Sequence, residues 1–204
     1  MTEHPASLVY VVDDDFSVRD SLTLFLNSAG LEVKSFESAN AFLAAYDPQH
    51  PACLVLDIRM PGLDGLGLQN ELNKESISLP VIFISGHAEV PDSARAFRSG
   101  ALDFLEKPFD NKTLLERIRE ALNKDVAIRR QQQKKRLLEE RLNALTAREN
   151  DVLALILNNH SNKEAARILG ISHRTVDVHR AKIMEKMQAA NLAELIRMMM
   201  ESQH

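Results

Sequence analysis

The sequence predicts an α/β domain with a doubly wound parallel sheet of five strands, then a helical linker and an all-α domain of four short helices. In the first part of the chain, short apolar runs alternate five times with amphipathic stretches of helical length. This alternation is typical of parallel strands with helices on both faces of the sheet. In the last part, helix-capping signals replace the strand-like runs, which favours short helices there.

Five short apolar or alternating runs are the predicted strands, at 8–12, 31–36, 52–56, 81–85 and 102–105. The predicted helices between and after them are 18–28, 39–45, 66–74, 90–98 and 111–123. The loop after the third strand contains Gly62, Gly65 and Gly67. No lysine-serine or lysine-threonine pair follows them, as a phosphate-binding loop would require, so we interpret all three as turn residues only.

Charge divides the chain into three parts. Residues 1–123 contain 10 basic and 19 acidic residues, a net charge of -9. Residues 124–143 contain 7 basic and 3 acidic residues, a net charge of +4, and residues 144–204 contain 8 basic and 7 acidic residues, a net charge of +1. An acidic part, a basic connector and a slightly basic end indicate modules with different partners. The connector is polar and contains no Gly or Pro, which predicts a helix, either an exposed continuation of the fifth helix or a dimer contact. We therefore predict domains at 1–123 and 144–204 with a helical linker at 124–143.

The single cysteine, Cys53, lies inside an apolar run. One cysteine provides neither a disulfide framework nor a thiol metal site, so we predict a small buried hydrophobe. No apolar run approaches the length of a membrane span, and the N-terminus lacks a basic segment followed by an apolar stretch. These features predict a cytoplasmic protein with no membrane partner.

Helix-start signals recur in the last 61 residues. Ser172 is a candidate N-cap, and Gly170 before it fits the tight turn of a helix-turn-helix. Three predicted capping boxes place an acidic residue three positions after the cap. They are Thr146 with Glu149, Ser161 with Glu164, and Asn191 with Glu194.

Polar side chains follow the carboxyl ends of four predicted strands. Asp13 and Asp14 come after the first, Asp57 after the third, Ser85 ends the fourth, and Lys107 follows the fifth. Open parallel sheets bind ligands at this edge. Three carboxylates crowded around one point are costly without a divalent cation, and Mg²⁺ prefers oxygen ligands. The sequence therefore predicts a site for Mg²⁺ and a phosphoryl group.

Each of these residues has a predicted role. An aspartate can attack phosphorus when a cation neutralises the phosphoryl oxygens and a lysine holds one of them. Asp57 stands alone at its strand end and is the candidate phosphoacceptor. Asp13 and Asp14 would hold Mg²⁺ directly or through water, Lys107 would pair with a phosphoryl oxygen, and Ser85 would donate a hydrogen bond to the phosphoryl group. Taken singly, the acidic residues also fit a solvated loop or a charge cluster at a helix N-terminus. Lys107 alone also fits a surface lysine, and Ser85 alone a strand-end hydroxyl.

At these residues the chain resembles the receiver domain of two-component response regulators. The resemblance spans residues 7–123. It implies a flavodoxin-like receiver fold, phosphorylation of Asp57 by a sensor histidine kinase, and the backbone carbonyl of Arg59 as a further Mg²⁺ ligand. The matching pieces are Val11-Val12-Asp13-Asp14, Asp57-Ile58-Arg59-Met60-Pro61-Gly62, Ile84-Ser85-Gly86-His87 and Gly100-Ala101-Leu102-Asp103-Phe104-Leu105-Glu106-Lys107-Pro108-Phe109.

The same resemblance implies a conformational switch. Ser85 would move toward the phosphoryl group and Phe104 would rotate inward behind it. Side chains at Arg59 and His87 would tune how fast water removes the phosphoryl group. His87 is either a catalytic base or a loop histidine.

A predicted helix starting near His173 has two different faces. At 100° per residue, one stripe contains Val176, Arg180, Ile183 and Met187 and suits packing. The outward positions are Arg174, Asp177, Val178, Ala181, Lys182 and Glu185. Such a face suits the DNA major groove. Asp177 can accept a hydrogen bond from the amino group of cytosine, and Val178 or Ala181 can contact a thymine methyl group. The side chains that suit phosphates are Thr175, Arg180, Lys182 and Lys186.

A net charge of +1 over residues 144–204 is small for a DNA-binding domain, so charge leaves a protein-interaction domain as an equal alternative. The motifs favour DNA. Residues 145–149, 161–166 and 170–180 resemble the LuxR-type helix-turn-helix, over 144–200 in all. With the receiver in front, the whole chain resembles transcriptional regulators of the FixJ/NarL type.

The resulting expectation is a DNA-binding transcription regulator controlled by phosphorylation. Its partners would be a sensor histidine kinase, promoter DNA, RNA polymerase and, when phosphorylated, a second copy of itself. It would not be an enzyme beyond Mg²⁺-dependent self-phosphorylation and slow autodephosphorylation. One alternative is an Mg²⁺-dependent phosphohydrolase, which usually needs a second aspartate two residues after Asp57, where this chain has Arg59. The other is a switch whose C-terminal helices bind protein.

Overall fold

In the computed structural model, residues 7–86 and 90–201 are described, without the side chains of 90–92 and 201. His87 lies outside the described residues. The chain forms two compact units, Met1–Arg129 and Arg130–His204. Among the described residues, no helix combines the length and apolar character needed to cross a lipid bilayer.

The first unit is built on a five-stranded parallel sheet with strand order β2-β1-β3-β4-β5. This confirms the predicted fold. Because the chain passes from β1 outward to β2 and then back to β3, the carboxyl ends of β1 and β3 flank the point where the winding direction reverses. The strands are β1 Leu8–Val12, β2 Glu32–Phe36, β3 Ala52–Asp57, β4 Val81–Ser85 and β5 Asp103–Glu106.

Helices connect the strands, and three of them begin at an aspartate or serine N-cap. The first starts two residues before its predicted position because the Asp15 carboxylate accepts a hydrogen bond from the backbone N–H of Ser17. The third helix starts one residue before its predicted position because the Asp64 carboxylate accepts a hydrogen bond from the backbone N–H of Gly67. The helices are α1 Phe16–Ser28, α2 Ala39–Ala45, α3 Gly65–Lys74, α4 Val90–Arg98 and α5 Asn111–Asn143.

The central strands are buried on both faces, which explains their continuous apolar sequences. Alternate residues supply two hydrophobic clusters. One cluster includes Tyr10, Leu54 and Phe83, packed with residues of α2 and α3. The other contains Val55 and also Cys53, with residues of α1 and α5, so the prediction that Cys53 is a buried small hydrophobe is confirmed. Burial also raises the pKa of its thiol.

A buried carboxylate ties α5 to the amino end of β3. Asp125 is 1% exposed, and its Oδ2 accepts hydrogen bonds from the backbone N–H of Ala52 at 2.9 Å and from Nε of Arg129. Arg129 also donates to the carbonyl oxygen of Pro48. The first unit therefore includes the opening residues of the segment predicted as a linker.

The described part of the second unit contains four further helices around one hydrophobic cluster, which confirms the predicted all-α domain. Both halves of the capping box are present at Thr146 and at Ser161. At the third predicted box, the Asn191 side chain accepts from the Glu194 N–H, but the Glu194 carboxylate accepts from the N–H of Ala190 instead. The helices are α6 Ala147–Leu157, α7 Asn162–Leu169, α8 His173–Met187 and α9 Leu192–Glu201.

Left-handed residues end two of these helices. Gly170 closes α7 with a φ of 65°, which confirms the tight turn predicted before α8. Gln188 closes α8 with a φ of 52°, an uncommon conformation for a residue with a side chain. Arg141 secures this end because its guanidinium donates to the Met187 carbonyl and to Oε1 of Gln188.

An ion pair between a buried carboxylate and a half-buried lysine joins α6 to α8. Glu149 is 3% exposed and accepts hydrogen bonds from Lys186 Nζ at 2.6 Å and from the backbone N–H of Thr146 at 2.8 Å. Lys186 also donates to the carbonyl oxygen of Ala144. The hydrogen bond from Lys186, followed by those from Thr146, lowers the pKa of Glu149 to about 2.

We expect Glu149 to make the stability of the second unit depend on pH. Its carboxyl has an ordinary pKa of 4.5 when unfolded and about 2 when folded, so its stabilising contribution is complete above pH 4.5 and falls as the pH drops toward 2. In denaturant unfolding of the full chain, Glu149→Gln should therefore lower the free energy of unfolding of the second unit most at neutral pH and less below pH 4.5. The exposed Glu185→Gln is the control and should change stability little. A pH-independent cost of Glu149→Gln would contradict the assignment.

Candidate functional site

The sheet brings the predicted site residues to one edge. Asp13 directly follows β1, Asp57 ends β3, Ser85 ends β4 and Lys107 follows β5. In the register, Asp57 pairs with Ile84. The backbone N–H of Lys107 donates to the Ser85 carbonyl at 2.8 Å, so the loop after β5 stays aligned with the end of β4.

One ammonium group bridges two carboxylates at this edge. Lys107 Nζ lies 2.6 Å from Asp13 Oδ2 and 2.9 Å from Asp57 Oδ1. Asp13 is 1% exposed and Asp57 is 5% exposed. Two like charges this close and this buried repel strongly, and the ammonium offsets that repulsion.

Backbone N–H groups fix the orientation of both carboxylates. Asp13 Oδ1 accepts from the N–H of Asp15 at 2.9 Å, and Asp57 Oδ2 accepts from the N–H of Arg59 at 3.0 Å. Each acid is therefore held by its own loop on one oxygen and by Lys107 on the other. Charge-assisted hydrogen bonds of this kind are short and directional, so both carboxylates are held in fixed orientations.

Arg19 of α1 supports the acidic loop and was not predicted from the sequence. Its guanidinium donates to the carbonyl oxygens of Asp13 at 2.8 Å and Asp14 at 3.0 Å. These bonds hold the exposed Asp14 next to the buried pair. The helical position of Arg19 gave no signal for this contact, because only the folded loop brings the two carbonyls to it.

The surroundings change the acidity of the bridging groups. Burial raises the pKa of Asp57, and the hydrogen bond and charge of Lys107 oppose that rise. Burial lowers the pKa of Lys107, but hydrogen bonds to Asp13 and Asp57 outweigh it and the net pKa is raised. Lys107 therefore stays protonated at neutral pH and remains available to an anionic ligand.

Three carboxylates at this edge could hold a metal ion together. Oxygen atoms of Asp13, Asp14 and Asp57 all lie within 4.8 Å of one another. The donors are all oxygen, and their combined charge exceeds the single charge of Lys107. This set fits a hard divalent cation such as Mg²⁺.

Gly65 leaves room for the backbone of the site. A Cβ atom at this position would lie 2.2 Å from the carbonyl oxygen of Asp57 and 3.0 Å from Cα of Ile58. The Gly65 N–H donates to the Ile58 carbonyl at 2.9 Å. The prediction that the loop glycines are turn residues only is wrong for Gly65, because the start of α3 contacts the end of β3 where no side chain fits.

The two predicted switch residues lie on neighbouring strands. Ser85 is buried at the end of β4. Phe104 of β5 pairs in register with Phe83 of β4. Its ring is partly buried against the hydrophobic cluster that contains Phe83.

In the second unit, α8 packs with the predicted stripe inward. Val176, Ile183 and Met187 are buried, while Arg180 is half-buried and donates to Asn162 Oδ1 of α7 at 2.8 Å. The exposed positions of α8 include five predicted DNA-contact residues, namely Arg174, Asp177, Val178, Ala181 and Lys182. Neither Arg174 nor Lys182 bonds to another described side chain.

Besides Arg180, three more of the predicted DNA contacts have partners within the second unit. Asp177 accepts from Asn162 Nδ2 at 2.6 Å and lies 3.1 Å from His173 Nδ1. The Thr175 hydroxyl lies 2.8 Å from that of Ser172. Lys186 is held by the buried Glu149. A helical wheel gives the direction of a side chain but not the partners that other helices supply.

Two family models match the chain. Residues 9–119 match the response regulator receiver domain. Residues 143–199 match the bacterial regulatory proteins of the luxR family. The first match contains all the clustered acids and Lys107, and the second contains α6 to α8.

Relatives resemble the chain over nearly its whole length. The transcriptional regulatory protein FixJ of Azorhizobium caulinodans is 45% identical over 95% of this chain and 92% of its own. Nodulation protein W of Bradyrhizobium diazoefficiens is 43% identical over 94% of this chain and 85% of its own.

Two solved structures of response regulators are also similar to this chain over nearly its whole length. The response regulator StyR has a TM-score of 0.91 at 41% identity, covering 96% of this chain and 99% of its own. Full-length FixJ from B. japonicum has a TM-score of 0.60 at 38% identity, covering 98% of each chain. The chain therefore belongs to the FixJ-type response regulators of two-component systems, which are transcriptional regulators that join a receiver domain to a luxR-type DNA-binding domain.

Proposed function

We propose that Asp57 accepts a phosphoryl group from a phosphohistidine of a sensor histidine kinase, and that this event controls promoter binding by α8. The observation that supports it most is the bridge from Lys107 to Asp13 and Asp57, with Asp14 beside it. A nucleophile, a cation for the phosphoryl oxygens and oxygen ligands for a metal are the components that phosphoryl transfer to a carboxylate requires.

In the proposed transfer, a carboxylate oxygen of Asp57 attacks phosphorus. The bond between phosphorus and the histidine nitrogen breaks, its electrons stay with the imidazole, and the imidazole takes up a proton. Lys107, which contacts Asp57 Oδ1 at 2.9 Å before transfer, exchanges that contact for a phosphoryl oxygen. The Arg59 N–H keeps Asp57 Oδ2 in place, so the attacking group needs little reorientation.

Asp13, Asp14 and Asp57, with the backbone carbonyl of Arg59, are the residues that would hold Mg²⁺. When bound, this ion neutralises charge on the phosphoryl oxygens. The chain holds Arg59 at the position where a phosphohydrolase of this chemistry usually has a second aspartate. We therefore propose a long-lived acyl phosphate with slow autodephosphorylation and no catalytic turnover.

The proposed output passes through Ser85 and Phe104. Ser85 would donate a hydrogen bond to the phosphoryl group, and Phe104 would turn further toward the cluster it already contacts. The phosphorylated form would be favoured in a homodimer whose two copies bind paired half-sites. RNA polymerase is the proposed partner at the promoter, which places the working protein in the cytoplasm.

The proposed reading face consists of the exposed residues of α8. Arg174, Val178 and Ala181 suit base edges, and Lys182 suits phosphates. Asp177 keeps about half of its side chain exposed despite its bonds to α7, so it can still accept from a base. Arg180 and Lys186 fix α8 against α7 and α6. We assign these two as positioning residues.

Asp57→Asn tests the proposed function. In the presence of Mg²⁺, acetyl phosphate should raise the affinity of the full chain for duplexes selected from random DNA, by a coupling of about 1–3 kcal/mol. The variant lacks the nucleophilic carboxylate and should bind equally with and without the donor. The exposed Asp20→Asn should respond like the wild type. A donor response retained by Asp57→Asn would refute the proposed acceptor.

Mg²⁺ should stabilise the first unit through the acidic cluster. A ligand at about one hundred times its Kd stabilises a folded protein by about 2.7 kcal/mol. At constant ionic strength, Mg²⁺ should therefore raise the thermal unfolding temperature of the wild type and of Asp20→Asn. Asp13→Asn should remove the rise because it removes one ligand. An equal rise in Asp13→Asn would contradict the assigned site.

Two lysines of α8 should behave differently in DNA titrations. Lys182→Gln should weaken binding to all duplexes and reduce the slope of log affinity against log salt by about 0.9, as loss of one phosphate contact does. Lys186→Gln should mainly lower unfolding stability, because its partner Glu149 stays buried. If Lys186→Gln left stability unchanged but reduced the salt slope, Lys186 would be a phosphate contact instead.

A further inference from the structure

We propose that residues 130–136 of α5, which we name the basic segment, bind DNA phosphates beside the sequence read by α8. This inference rests on the proposed DNA-binding function and extends it to an element outside the four helices of the luxR-type domain. The proposed partner is the polyanionic phosphate backbone of DNA. The basic segment would contact the phosphates and would not recognise the bases.

The basic segment is cationic and exposed to solvent. It contains four basic residues and no acidic one. Every residue from 130 to 137 is exposed, so more than two turns of α5 present their side chains to solvent. A short run rich in lysine and arginine is typical of nucleic-acid contacts.

The charges in the basic segment repel one another. Arg130 and Lys134 are four residues apart, a spacing at which like charges destabilise a helix. Arg136 forms an ion pair with Glu140 at 3.1 Å. Arg130, Lys134 and Lys135 form no ion pair with any described residue. An anionic partner would relieve this repulsion.

The position of the segment connects it to α8. Lys134 and Lys135 precede Leu138 by four and three residues, so they lie one turn away on the same helix face. Leu138 is buried in the hydrophobic cluster that contains Met187 of α8. Arg141 donates to the Met187 carbonyl. The basic segment therefore extends the α5 face that packs near the carboxyl end of α8, within the same compact unit.

The charge balance of the second unit supports a DNA contact here. Residues 144–204 carry a net charge of only +1, whereas 130–204 contain 13 basic and 9 acidic residues, a net charge of +4. Within α8, Lys186 and Arg180 are engaged by Glu149 and Asn162. Binding strength depends on how many phosphates are neutralised. The basic segment adds positive charge to a domain whose own surplus is a single charge.

The test is the full chain with Lys134→Gln and Lys135→Gln together. Glutamine favours helices almost as well as lysine, and far-UV circular dichroism checks that α5 persists. Affinity is measured against salt for a selected duplex and for a duplex of unrelated mixed sequence, with acetyl phosphate and Mg²⁺ present. We expect equal losses of affinity for both duplexes and a salt slope smaller by about 1.8, since each lost phosphate contact contributes about 0.9.

Lys112→Gln with Lys124→Gln is the matched control. Both lysines are exposed on α5 in the first unit. Replacing them removes two positive charges, the same change in net charge as in the Lys134/Lys135 variant. The control should keep the wild-type slope. Unchanged binding by the Lys134/Lys135 variant, an equal loss in the control, or a loss confined to the selected duplex would each overturn the inference while leaving the proposed function intact. A wild-type chain that binds neither duplex would overturn both.

Discussion

The crowding of three carboxylates around one lysine is the constraint on which the first unit depends. Asp13 and Asp57 are nearly inaccessible to water, and their charges are tolerated because Lys107 lies within hydrogen-bond distance of both. Parallel strands with adjacent carboxyl ends are what bring these residues together. The same arrangement leaves a surplus of negative oxygen atoms at the edge of the sheet, which could hold a hard divalent cation.

The second unit uses buried charge for a different purpose. Glu149 with Lys186, and Arg141 with the end of α8, fix the helix that presents the proposed reading face. These contacts consume cations that would otherwise be available to DNA. The exposed face of α8 is therefore preorganised but has no net formal charge, since Asp177 and Glu185 offset Arg174 and Lys182. This gives the basic segment of α5 a physical reason to contribute to binding.

The fold of the first unit and the position of its site residues could be predicted from the sequence because the signals for them are local. Strand runs ending in Asp57 and Ser85 place those side chains at one edge through the period of the strand and the parallel topology. The role of Gly65 and the contacts of Arg19 could not be predicted, since they depend on atoms from distant segments meeting in space. The partner of Lys186 escaped prediction for the same reason, because Glu149 is recognisable in sequence only as a helix-capping residue.

Chemical mapping of the phosphoryl group tests the central claim most directly. The chain is incubated with acetyl phosphate and Mg²⁺, reduced with borohydride, digested, and analysed by mass spectrometry. Borohydride converts an aspartyl phosphate into homoserine. The arrangement of Lys107 and the three acids predicts homoserine at position 57 and unchanged aspartate at 13 and 14. Homoserine at Asp13 or Asp14, or a phosphoryl group on a residue away from this edge of the sheet, would contradict it.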